Sequence, residues 1–478
     1  VYVITVSYTK DSSVSSGNDK GTLDTFTYPA NTHVTIAGSG SYPWVASGAT
    51  NNTVYDNKIG TGITYNTSTQ KYDLVSPTSS VISSSTIGKY VCPTITQTSC
   101  TTAYKVTAAS TSITKVDEYS SSTATGTRAD YLNAEVGTER KEEDILAYYV
   151  WIPRYKYQLF NVDSTTIDPI EIQIKFEYGT PNKSSGTANG EWLTHPAFTL
   201  GTDELEGIWV GKFSTTGSAE TPTVKPNIGM LTNQNVSTQF TTSQIFGTTT
   251  YLTSTGVSEV DAHMMKNIEW GAVAYLKQSK YGLGTTDIGW NNYKSSPYLT
   301  GCGSTAGSAS STTCNAYNTT DGMLASTTGN ITGIYDMSAY TRTYVMGVMQ
   351  DNTGTNTPMS GNSSSSNSGF TGKIYDSGNF TEYSGVALPT SKYYDLYDYG
   401  TTYNDQIAYN RRILGDATGE VVAWYDDYSG FVRSVAPWFV RGLGGSGAPT
   451  NSGVFAFDWD YGKSYAILTF RSVLAPLS

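Results

Sequence analysis

The sequence predicts a two-part molecule: an all-β region of Ig-like or sandwich type over residues 1–127, then an α+β domain with long irregular loops over residues 148–478. Three observations carry this reading. Short stretches with a two-residue alternation of apolar and polar side chains fill the amino-terminal part. One dense charged segment interrupts that pattern. Beyond it, alternating strands are followed by one clear amphipathic helix and then by a long tract of Gly, Ser, Asn, Thr and Tyr. At 478 residues the chain exceeds one ordinary domain.

Val1–Tyr8, Gly62–Tyr65 and Tyr104–Thr107 alternate with period two, and the Cys92–Cys100 stretch and Ile113–Tyr119 read as paired strands. This region is expected to be a stalk or spacer without chemistry of its own. Residues 128–147 hold the densest charge in the chain and read as a linker with a short helix. Tyr148–Phe160, Ile170–Tyr178 and Ile208–Phe213 then alternate and should open the sheet of the second domain. A short helix is expected near Ser243–Phe246. A longer one is expected from Asp261 to Ser279, with Met264, Ile268, Ala272, Tyr275 and Leu276 on one face. The low-complexity stretch Gly354–Gly369 reads as a surface loop.

Composition excludes some functions. A formal net charge of −11 and the absence of a basic run argue against nucleic acid, which needs clustered Lys and Arg to neutralise phosphates. No run approaches the ~18 apolar residues of a membrane span. Charged residues are only 14% and Tyr outnumbers Phe 37 to 14, which favours wet sheets and binding surfaces. With a first residue of Val rather than Met, the chain fits a mature exported protein.

Four cysteines form two close pairs, Cys92 with Cys100 and Cys302 with Cys314, each bracketing a polar stretch. Local disulfides are the simplest reading. Zinc is the alternative, but neither pair has two-residue spacing or a nearby His. The three histidines, His33, His195 and His263, are far apart in sequence, with His195 expected in a turn and His263 in the first turn of a helix. No Gly-x-Ser-x-Gly elbow is paired with a His. Asp395, Asp398, Asp426 and Asp427 offer carboxylates for a hydrolase, the weaker enzymatic reading. No cofactor is expected. A structural calcium at Asp416 with Glu420, or at Asp426–Asp427, is compatible with the residue types.

Four signals occur in order: Met265-Lys266-Asn267-Ile268-Glu269-Trp270-Gly271-Ala272-Val273-Ala274-Tyr275-Leu276, Gly333-Ile334-Tyr335-Asp336-Met337-Ser338, Pro437-Trp438-Phe439-Val440-Arg441-Gly442, and Leu468-Thr469-Phe470-Arg471-Ser472-Val473-Leu474. This series resembles the formylglycine-generating-enzyme (sulfatase-modifying-factor) branch of the C-type lectin fold. It is closest to that branch's non-enzymatic relatives, the variable ligand-binding proteins diversified by retroelements in bacteria and phages. The resemblance covers roughly Tyr148 to Ser478. It departs at Ala339–Tyr344, where the usual Gly-Asn-Val-Trp-Glu-Trp is replaced. The catalytic branch relies on a late cysteine pair, and no cysteine follows Cys314, so the resemblance implies a non-enzyme.

In those relatives the last two signals bracket the ligand-binding surface. Here that interval carries a core strand at Val454, Phe455 and Phe457, with Asp458, Trp459, Asp460, Tyr461 and Tyr465 expected in the turn beyond it. Rigid aromatics beside adaptable polar groups are paratope chemistry. A second strip contributes Trp424, Asp426, Asp427, Tyr428 and Arg433, whereas Trp438 is assigned to the core and Arg441 and Arg471 to structural hydrogen bonds. The reading is an exported adhesin or receptor-binding protein, extracellular or on a cell surface, whose partner is a protein or glycan on a target cell. A structural subunit of a surface filament or virion, sharing the Val1–Tyr8 strand with a neighbouring copy, is the alternative.

Overall fold

The computed structural model describes residues 146–248, 260–291, 298–303, 315–443 and 451–476 in full, and before residue 146 the backbone of eight short strands. The chain divides into two compact units, residues 36–145 and residues 1–35 with 146–478. In the 36–145 unit five strands, Gly62–Asn66, Lys71–Val75, Thr114–Ser120, Thr102–Ala109 and Tyr90–Val91, lie in that order in one antiparallel sheet.

The other unit is β-rich, with several small sheets and few helices. Its first sheet has the order Tyr2–Ile4, Tyr148–Pro153, Gly207–Gly211, Ser472–Pro476, Val260–Met264. The Tyr2–Ile4 strand, assigned from sequence to the stalk, pairs in parallel with Tyr148–Pro153, and the other pairings are antiparallel. The second sheet has the order Asp395–Tyr397, Arg342–Met349, Trp438–Arg441, Phe457–Asp460, with Leu468–Phe470 also paired to Arg342–Met349. The chain steps from the second sheet to the first at Arg471. Its buried guanidinium donates to the carbonyls of Gly211 and, at 2.6 Å, Tyr335. A strand end and a separate loop are held by one side chain that cannot lose its charge.

The helix differs from the sequence expectation in extent. Val260–Met264 is a strand, so His263 lies on the sheet, and the helix runs Asn267–Lys277 with every residue buried. An all-round buried helix cannot show the one-sided stripe that periodicity looks for. Its start is set by carboxylates: Glu269 accepts the Lys266 N–H at 2.8 Å and Asp395 accepts the Ile268 N–H at 2.8 Å. Both satisfy orphan donors at the positive helix end. The earlier helix spans Val236–Gln244, capped by Asn235. Gly354–Gly369 is likewise not a plain loop. It contains the strands Met359–Ser363 and Ser366–Asn367, with Met359, Ser360 and Gly361 buried. The Ile170–Tyr178 alternation yields only the short strand Ile174–Phe176.

Gly271 sets the distance between this helix and the Gly415–Asp416 backbone. A Cβ there would lie 1.9 Å from the Gly415 carbonyl oxygen, a backbone atom with no freedom to yield locally. Gly271→Ala should therefore destabilise the unit by about 3 kcal/mol, read as a lower urea midpoint with an unchanged slope.

His263 is fully buried between Asp261 at 3.1 Å and Glu269 at 2.9 Å. Burial pulls its pKa down, but the Glu269 and Asp261 carboxylates outweigh this and raise it from 6.5 to about 9. A base whose folded pKa exceeds its unfolded value contributes stability that is complete below the unfolded pKa and is lost as pH rises through the folded one. The stability difference between wild type and His263→Gln should be largest near pH 6 and shrink through pH 9, measured by urea unfolding across that window. A difference independent of pH would show that folding leaves the His263 pKa unchanged, and one that grows with rising pH would show that the imidazole is buried neutral.

Candidate functional site

Strand Phe457–Asp460 pairs with Trp438–Arg441, with Trp459 opposite Phe439 and Asp458 opposite Val440. Asp458, Trp459 and Asp460, expected in a turn, are thus strand residues, and their side chains alternate between the two sides of the sheet. Asp458 and Asp460 meet Arg342 at 3.5 and 4.0 Å. Asp460 also accepts the Tyr344 hydroxyl at 2.6 Å and the Tyr461 N–H at 2.6 Å. Asp458 is buried, and both carboxylates brace the strand pair.

Trp459 turns the other way and is half-buried. The Arg433 guanidinium lies 4.2 Å from its ring centre and 4.5 Å from that of Tyr403, and the two rings meet edge to face at 6.0 Å. Tyr461 approaches Trp459 at 6.4 Å, also edge to face. Arg433 is held by a tight reversal in which its N–H and carbonyl both pair with Ala436, at 3.1 and 2.8 Å. Tyr403 is positioned through its carbonyl, which accepts the Phe431 N–H at 2.6 Å. Tyr428 joins the group: burial raises its hydroxyl pKa, Asp458 and Tyr403 add to this, and Arg342 and Arg433 oppose it. The Lys463 ammonium stands over both Tyr461 at 5.3 Å and Tyr465 at 5.9 Å, extending the cluster to Tyr465, which is 55% exposed.

Tyr428, Arg433, Trp459, Tyr461 and Tyr465 therefore form one half-open aromatic and cationic face, with Asp458 and Asp460 behind it. Three expected site residues are corrected: Asp458, buried against Arg342 as above, Trp424 and Asp427. Trp424 is buried, stacked on Phe160 at 5.6 Å and edge-on to Phe455 at 5.1 Å, with its indole N–H donated to the Ile167 carbonyl at 2.9 Å. Asp427 is also buried and accepts the Phe455 N–H at 2.9 Å, and burial pushes its carboxyl well above the usual range. Asp426 is exposed next to them, in a left-handed backbone run that includes Ala423 and Tyr425. The chain around residue 424 turns inward because its indole packs between the Phe160 and Phe455 rings.

Tyr403, Arg342 and Lys463 were missed from sequence. Arg342 falls in Ala339–Tyr344, the interval that departs from the motif, and Tyr403 closes a Tyr-rich tract whose members are otherwise alike.

The remaining chemical candidates are dispersed. Asp395 sits at the helix start while Asp398 is at the surface, bonded to Gln350 at 3.1 Å. Asp416 and Glu420 are fully buried and accept hydrogen bonds from backbone and side-chain donors, and burial pushes Glu420 up to about 7. Carboxyls whose oxygens are already occupied by protein donors suit a structural role better than a calcium ligand. His195 is buried too. Its Nδ1 accepts from Ala197 N–H and its Nε2 donates to the Gly415 carbonyl, and burial lowers it to about 3, so it is a neutral N-cap. Among the described residues no group of three or more His, Cys, Asp or Glu is placed to hold a metal ion, and no helix is long and apolar enough to cross a membrane. Cys302 is disulfide-bonded; Cys314, Cys92 and Cys100 lie outside the described residues.

Trp424→Ala should cost about 3–5 kcal/mol, as deletion of a buried ring does, whereas Tyr461→Ala should change stability by about 0.5 kcal/mol. Urea unfolding of both variants separates the core ring from the surface ring. No protein-family model matches the chain, and no curated protein matches it.

Proposed function

We propose that the chain is an exported adhesin or receptor-binding protein. In this reading a C-type-lectin-like frame presents the face around Arg433, Tyr403 and Trp459 to a glycan or protein on a target cell. Two kinds of support bear on the frame. The four sequence signals occur in the order of the branch they resemble, and they meet in space. Arg441 of the third signal reaches Asn267 of the first at 3.4 Å and lies over Trp270. Arg471 of the fourth binds the Tyr335 carbonyl of the second.

The observation that carries the binding reading is the geometry at Arg433. A guanidinium packed against two ring faces is pre-oriented, so little side-chain entropy remains to be lost when a ligand arrives. Around it stand tyrosines whose rings are anchored and whose hydroxyls can both donate and accept. Such groups at the centre of an interface carry most of its affinity. None of them is arranged with a base or nucleophile for turnover, which favours binding over catalysis.

Attachment of the labelled protein to target cells, and to a glycan array, tests this. Tyr403→Ala and Tyr461→Ala should each weaken attachment by about thirtyfold, the equivalent of ~2 kcal/mol for a central anchor, with a nearly unchanged melting temperature. Normal attachment by both variants would move the site elsewhere on the protein.

A further inference from the structure

The two arginines near the face differ in how their charge is matched. Arg342 stands against both local carboxylates, Asp458 and Asp460. Among the described arginines Arg433 alone has neither a carboxylate within salt-bridge distance nor a side-chain hydrogen bond, and its Nε–H, like those of Arg342, Arg441 and Arg471, is buried without an acceptor. The indole N–H of Trp459 is in the same state. The hydroxyls of Tyr403, Tyr428 and Tyr461 likewise make no hydrogen bond to another described residue. In a unit where Arg154, Arg441 and Arg471 are each bonded to several oxygens, an oriented guanidinium left open is a feature to be explained.

Resting on the binding reading above, we propose that the ligand is an acidic saccharide whose carboxylate is taken by Arg433 and whose hydroxyls are taken by the surrounding tyrosines. A planar carboxylate matches the open edge of a guanidinium. Hydroxyls, which donate and accept, match three phenols that do the same. Three phenols around one guanidinium match a single carboxylate among hydroxyls better than a densely acidic peptide. The net charge of −11 does not oppose this at contact, because repulsion from distant surface charge is screened beyond ~8 Å at physiological salt.

The test is calorimetric titration of the full chain with a uronic-acid oligosaccharide, with the same oligosaccharide after reduction of its carboxyls to neutral alcohols, and with a polyglutamate peptide. The acidic sugar should bind at least about tenfold more tightly than the reduced one, the range of a charged hydrogen bond. Arg433→Gln should abolish that difference with an unchanged melting temperature, and Arg433→Lys should restore it only in part. Equal binding of both sugars, binding of neither, or tighter binding of polyglutamate would overturn the acidic-saccharide assignment. These outcomes are separable from failure of the binding reading. If Tyr403→Ala and Tyr461→Ala impair cell attachment while the two sugars bind equally, only the ligand class falls. If attachment ignores both tyrosines, the site and the ligand class fall together.

Discussion

The turn Gly415–Glu420 is the constraint on which the larger unit depends. It brings two carboxyls into the buried interior, where each needs hydrogen-bond partners. Glu420 takes the hydroxyls of Tyr157 and Tyr275 and the N–H of Gly415. Asp416 takes Tyr397, Thr418 and the Ile413 N–H. Arg441 closes the other side through the Ala417 carbonyl at 2.8 Å, and His195 caps the Gly415 carbonyl. These donors come from a small sheet of the strands Ile174–Phe176, Tyr155–Gln158 and Trp192–Thr194, the buried helix, the Asp395–Tyr397 strand and the Trp438–Arg441 strand. A single short turn thus fixes four elements at once, and the missing Cβ of Gly271 lets the helix reach it.

The consequence for the face is rigidity at its base. Arg441 ends the strand that carries Phe439, and Phe439 is the cross-strand partner of Trp459. The strand pair is therefore anchored at its buried end while Trp459 emerges at the other. Arg342 and the two Asp residues lock the inner side of Phe457–Asp460, so the outer side can be occupied by rings and a cation whose positions are inherited rather than chosen by local packing. This division, with polar groups saturated inside and left open outside, separates a scaffold from a surface in one strand.

Much of this was legible in the sequence. Strands within Tyr148–Phe160 and Ile208–Phe213, a core place for Trp438 and structural hydrogen bonds at Arg441 and Arg471 were all expected from the sequence, though not which carbonyls the two arginines meet. What was not legible has physical causes. His263 and the Asn267–Lys277 helix blur together because the helix and all but the first residue of the strand are buried, and periodicity needs a solvent side. Trp424 and Trp459 sit in similar Tyr- and Asp-rich strips, yet one is core and the other half-open. The difference lies in Phe160, Phe455 and Ile167, partners distant in sequence. Arg433 looked like any loop arginine, and only the approach of Tyr403 and Trp459 gives it a fixed position.

Oxidative footprinting of the aromatic residues, with the protein free and then bound to target cells, bears most directly on the central claim that one face of this scaffold is the binding surface. Tyr403, Trp459 and Tyr461 should be modified in the free protein and protected on binding, while Trp424 and Trp438 stay unmodified in both states. Protection confined to other exposed aromatics, such as Tyr178, with Trp459 and Tyr461 oxidised equally in both states, would contradict it.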